Sequence, residues 1–188
     1  MIRHSFIFGL AVAALCGLGS SRVMGQEVYS EGSSALIAES AAAVNSAKAE
    51  VEKARIAIAE GKQFIAAIPE DSPLMTDVAM VLEAASENWK IAIDSMKGAQ
   101  ESADKIATAS SDEIASDYAL LAKVNAGVAH SGAKVVQIAL LYIEAVSEDR
   151  AEALPVMRAS LQDALASSSQ VQFNYDRVKK IIARKYSK

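Results

Sequence analysis

The chain has 188 residues, 52% of them hydrophobic, a net charge of −4 and a single cysteine. One cysteine excludes a disulfide framework, so a packed core must hold the fold, which is feasible for one domain of this length. Residues 26–175 carry 11 Lys or Arg against 22 Asp or Glu, whereas residues 176–188 carry six against Asp176 alone; so acidic a body argues against nucleic acid as a partner.

Residues 1–25 read as a secretory signal peptide. Arg3 and His4 precede an apolar run over residues 6–18, and Val23 and Gly25 stand where a signal peptidase accepts small side chains. Cleavage is expected after Gly25, leaving a mature chain from Gln26 and placing the protein in the periplasm or outside the cell. The run is shorter than the ~20 residues a spanning helix needs. Leu15 precedes Cys16 at the place where a lipoprotein signal carries Ala, Gly or Ser, so lipidation is the minor expectation. Residues 26–32 are expected to form a flexible lead-in to one domain over residues 33–188.

Three breaks divide that domain. Pro69 and Pro73 flank the first, with Ser72 expected as a helix N-cap and Pro73 at the first helical position. Ser110 and Glu113 form a capping-box pattern at the second. The third falls over residues 146–155, because Pro155 would clash one turn back in a continuous helix. Helices are expected over 33–68, 73–108, 111–146 and 155–185, all rich in good helix formers. The octets FIAAIPED (64–71) and YIEAVSED (142–149) resemble each other and each ends a long helix, in keeping with two helical hairpins.

Within the segments, apolar positions recur by sevens. The first carries Ile37, Val44, Val51, Ile58 and Ile65, with Ser40, Ala47, Ala54, Gly61 and Ile68 three places on. The second carries Met75, Leu82, Trp89, Met96 and Ala103 beside Val78, Ala85, Ala92, Ala99 and Ile106. The third carries Ile114, Leu121, Val128, Val135 and Tyr142, beside a row that includes Asp117 and Ser131. The fourth carries Leu154, Leu161, Ser168, Tyr175 and Ile182 beside Met157, Ala164, Val171 and Val178. A sustained 3.5-residue period implies coiled-coil-like packing, and short loops make neighbours antiparallel. The fold class expected is all-α, an up-down-up-down four-helix bundle with helices about 50 Å long.

Little in the sequence carries catalytic chemistry. His130 is the one histidine after residue 25 and falls off the core rows, as a surface side chain would. No Glu-x-x-His or Cys-x-x-Cys-His occurs, so neither metal nor haem is expected and no cofactor is assigned. Asp117, the one carboxylate on a core row, is expected at a bundle end open to water, or else as a polar residue that fixes register. Gly127 and Gly132 follow no strand, so they form no phosphate loop, and are read as points of close helix contact or a soft spot in the third helix. Trp89, Met75, Met96 and Tyr142 are expected in the core, or else around a ligand cavity.

The expected function is accordingly non-enzymatic: an exported spacer, scaffold or interaction module of the bacterial cell envelope, with a ligand-binding or sensor-type bundle as the alternative. A homo-oligomer or a helical protein partner fits the same pattern. The candidate contact residues are Arg177, Lys179, Lys180, Arg184, Lys185 and Lys188. Cations there complement a helix C-terminus by about 0.3–1 kcal/mol each at most, and six invite a further role against peptidoglycan or an anionic envelope surface. Lys185-Tyr186-Ser187-Lys188 resembles the end of the Braun-type murein lipoproteins, single short helices that finish Lys-Tyr-x-Lys. The resemblance covers four residues and implies attachment of the Lys188 amine to peptidoglycan.

Overall fold

The computed structural model describes residues 31–187. The expected signal segment, Cys16 and Lys188 lie outside the described residues. Four helices follow in order: α1 (Glu31–Ala67), α2 (Met75–Ile106), α3 (Asp112–Ser147) and α4 (Leu154–Lys185). Together they form an all-α four-helix bundle. Each boundary lies within two residues of its expected place, and helix α1 already starts inside the expected lead-in.

Two caps differ from expectation. Ser72 Oγ accepts from the Leu74 backbone N–H (3.3 Å), but residues 73 and 74 form a turn and α2 begins only at Met75. At the second break Ser111, not Ser110, is the N-cap, and its Oγ accepts from the Ile114 N–H at 3.3 Å. Glu113 is thereby released from any capping box. At the third break Asp149 adopts a left-handed φ of 54°, and the Arg150 N–H reaches back to the Ala145 carbonyl at 2.9 Å, turning the chain before Pro155 enters the first turn of α4.

Contacting residues set the helix directions. Asp77 meets Tyr142 and Gly98 meets Asn125, so α2 and α3 are antiparallel. Gly127 meets Val171 and Asp117 meets Lys185, so α3 and α4 are too. Lys123 pairs with Glu39 and Gln137 donates to Glu50, so α1 and α3 run parallel. Among the described residues α1 and α4 do not touch. The bundle is therefore not a closed square of four equal neighbours. Helix α3 is a hub, and α1, α2 and α4 pack around it.

The heptad rows match burial unevenly. Among the described residues of α1 every buried position belongs to the two expected rows, Ser40, Val44, Ala47, Val51, Ala54 and Gly61, and Ile68, just past the helix end, continues them. In α2 the small row, Val78, Ala85, Ala92, Ala99 and Ile106, is buried, whereas Met75, Leu82, Trp89, Met96 and Ala103 are only half-buried. Small side chains bring backbones close. A Cβ on Gly132 would stand 2.8 Å from the Asn88 backbone carbonyl oxygen, and one on Gly61 would run into the Leu140 side chain. Gly132 is thus the close contact its sequence setting suggested, while Gly127 has only Val171, at 3.7 Å.

Helix α3 departs most from its expected register. Its row with Asp117, Val124, Ser131 and Ile138 is half-exposed, and three further rows are buried instead: Ala115, Ala122, Ala129, Val136 and Ile143, then Ala119, Ala126, Ala133 and Leu140, then Asn125, Gly132, Ala139 and Val146. A helix surrounded by three others must bury most of its circumference, so two rows do not suffice. It is also the one described helix long and apolar enough to cross a membrane, and most of that stretch is covered by its neighbours.

Candidate functional site

Because α3 and α4 are antiparallel, the cationic end of α4 lies beside the acidic start of α3. Lys185 falls one heptad after Val178, on the side of α4 that faces α3. Its Nζ stands 2.7 Å from Glu113 Oε1 and 2.7 Å from Asp117 Oδ2. The Tyr186 hydroxyl donates to the same Asp117 oxygen at 2.6 Å. Burial pushes the Asp117 carboxyl up, but the hydrogen bonds from Lys185 and Tyr186 outweigh it and hold the group below its ordinary value. The two carboxylates in turn raise Lys185 well above an ordinary lysine, chiefly through the hydrogen bond to Asp117. Asp117 is therefore half-buried and partnered rather than simply open to water.

This pairing separates the six candidate cations. Lys185 belongs to the α3–α4 contact, and Lys188 lies outside the described residues. Arg177, Lys179, Lys180 and Arg184 are exposed, and among the described residues none has a carboxylate oxygen within 4 Å. Lys179 stands over the Tyr175 ring, 5.7 Å from its centroid. Phe173 and Ile181, 63% and 57% exposed, share the outer side of α4 with Arg177, Lys180 and Arg184. The heptad rows hinted at both features, since Lys185 continues a core row and Phe173 and Ile181 fall off one.

Two other polar groups tie helices together. Arg158 pairs with Asp77, and its Nη2 donates to the Tyr142 hydroxyl oxygen at 3.3 Å, joining α4, α2 and α3. Ser168 Oγ donates to Asn88 Oδ1 at 3.0 Å, while Asn88 Nδ2 donates to the Ala84 carbonyl at 2.9 Å. Both Ser168 and Asn88 are buried, so this bond satisfies a polar pair that would otherwise cost free energy. His130 is exposed. Among the described residues no three His, Cys, Asp or Glu side chains converge as a metal site would require.

Grooves occur where α3's neighbours stand apart. One of about 310 Å³ runs between α1 and α2 over Leu140, lined by Ile58, Ile65, Leu82 and Trp89 with Lys62 and Ser86. Another of about 390 Å³, between α2 and α4, includes Tyr142, Asp77 and Arg158. Trp89 and Tyr142 thus line separate grooves, while Met75 and Met96 pack against the core. Compared with known protein families, curated proteins and solved structures, the chain matches none.

Proposed function

We propose that the chain is an exported, non-enzymatic protein of a bacterial cell envelope, a coiled-coil rod serving as spacer, scaffold or interaction module and held to the envelope through the basic end of α4. The observation that carries this reading is the set of four exposed cations, Arg177, Lys179, Lys180 and Arg184, without described carboxylate partners on an otherwise acidic chain. Helix-end electrostatics draws on cations only within the last turn, and Arg177 lies two turns before it. The polar groups that do converge favour a structural role, since each links one helix to another: Glu113, Asp117 and Lys185; Asp77, Tyr142 and Arg158; Asn88 and Ser168. The residues before 26 supply the export signal in this reading.

Fractionation tests it. Intact mass of the exported protein should correspond to a chain beginning at Gln26, and the protein should sediment with envelope material. Walls boiled in detergent and digested with a muramidase then separate two attachments. A peptide containing Lys188 with a muropeptide mass establishes covalent tethering, whereas release by salt establishes an electrostatic contact. Recovery entirely in the soluble exported fraction defeats the reading. A small-molecule-binding bundle is the second reading, favoured by the apolar groove with Trp89; a ligand that quenches or shifts Trp89 fluorescence would distinguish it, since Trp89 is the only tryptophan.

A further inference from the structure

At 100° per residue, Phe173, Arg177, Lys180, Ile181 and Arg184 fall within about 100° of arc over roughly 16 Å of α4. They lie opposite the half-buried side formed by Val171, Tyr175, Val178 and Ile182. Asp176 flanks the face, where Gln172 Nε2 approaches its Oδ1 at 3.5 Å. The one other carboxylate of α4, Asp163, comes well before Phe173, and Glu113 and Asp117 at the start of α3 engage Lys185, on the α3-facing side beyond the edge of this face.

The face is therefore both cationic and apolar. A contact with a charged wall polymer would use the cations alone, leaving a phenylalanine and an isoleucine in water at a cost. An anionic bilayer uses both: headgroup phosphates attract the Arg and Lys side chains, and the headgroup–acyl boundary accepts large apolar side chains. We propose that this face of α4 docks on an anionic lipid surface, with Arg177, Lys180 and Arg184 against the phosphates and Phe173 and Ile181 inserted between headgroups. The assignment deepens the envelope reading, on which it rests, by naming lipid as the partner.

Sedimentation of the exported protein with vesicles tests it. Vesicles of phosphatidylglycerol mixed with phosphatidylcholine should bind the protein, and pure phosphatidylcholine should not. Arg177→Gln, Lys180→Gln and Arg184→Gln together should weaken binding on the order of a hundredfold, about fivefold for each cation removed. Phe173→Ser with Ile181→Ser should keep part of the binding at low salt and lose what persists at high salt, because apolar insertion is not screened. All five positions are exposed, and unchanged thermal melting of the variants verifies that folding is intact. Equal binding to both vesicle types, or a triple variant that binds like the parent, overturns the proposal. Binding to purified peptidoglycan without binding to vesicles overturns it as well, yet leaves the envelope reading standing; recovery of the protein wholly away from envelope material defeats that reading itself.

Discussion

Helices α3 and α4 are similar in length, 36 and 32 residues, yet α3 buries seventeen side chains and α4 only Leu161 and Ser168. Part of the difference is composition, since α3 carries 22 hydrophobic residues and α4 only 15, and part is position, since α3 has three helical neighbours. On α3, Ala and Gly supply eight of the thirteen residues in the three further buried rows, letting α2 approach until Gly132 meets the Asn88 backbone. On α4, one half-buried stripe meets α3, and the remaining surface is left to solvent and to charge. A helix at the hub is specified by what it leaves out, a helix at the rim by what it presents outward.

The same substitution on the two helices should expose this contrast most strongly. Val128 is fully buried, and Val128→Asp should cost on the order of 3 kcal/mol or more by leaving a carboxylate without partners. Val156 on α4 is 67% exposed, so Val156→Asp should change stability by no more than about 0.5 kcal/mol. The surface changes Lys48→Ala and His130→Ala should be similarly mild. Denaturant melts giving comparable losses for Val128 and Val156 would remove the distinction between hub and rim.

A pair of glycines gives the next largest contrast. Gly132→Ala forces a Cβ against a backbone oxygen and should destabilise by about 1–3 kcal/mol. Gly127→Ala meets only Val171 at ordinary contact distance, and should stabilise by up to about 1 kcal/mol through helix propensity. Ser168→Ala, which takes the donor from the buried Asn88 Oδ1, should cost about 1–2 kcal/mol while leaving the hub intact. Thermal unfolding of the three variants ranks them directly.

The heptad spacing made the helices, their ends, the six described buried positions of α1 and Ile68 beside it legible in the sequence. It failed on α3 because Ala115, Ala122, Ala129, Ala119, Ala126 and Ala133 contribute little hydrophobic signal, and in an Ala-rich chain a solvated alanine reads the same as a buried one. The N-cap was misplaced by one residue, and the expected capping box lost with it, because Ser110 and Ser111 are both good caps and the geometry of the turn chooses between them. At the basic end, composition pointed to six equivalent cations. Only the antiparallel placement of α4 against Glu113 and Asp117 distinguishes Lys185, whose partners lie 72 and 68 residues away.

That end should also contribute the smallest predicted effect, a pH dependence. The folded-state pKa of Asp117 is lowered, so its stabilisation is present above the unfolded value, about 4, and is lost as pH falls through the folded one. Lys185 is raised, so its share is present below the ordinary lysine value, about 10.4, and is lost as pH rises through the folded one. Asp117→Asn should flatten the acid side of a stability profile, with little change at neutral pH because the pair is partly solvated. An acid limb as steep in the variant as in the parent would assign the loss to other carboxylates.

Hydrogen exchange with and without anionic vesicles tests most directly the claim that a stable hub carries a fourth helix whose outer face does the binding. Free in solution, amides of α3 should exchange only through global unfolding, and those of residues 173–185 through far easier local opening. Vesicles of phosphatidylglycerol should slow exchange over residues 173–185 and leave α1, α2 and α3 unchanged. Protection of α4 equal to that of α3 in the free protein, or vesicle-induced slowing centred on the α1–α2 groove, would contradict the account.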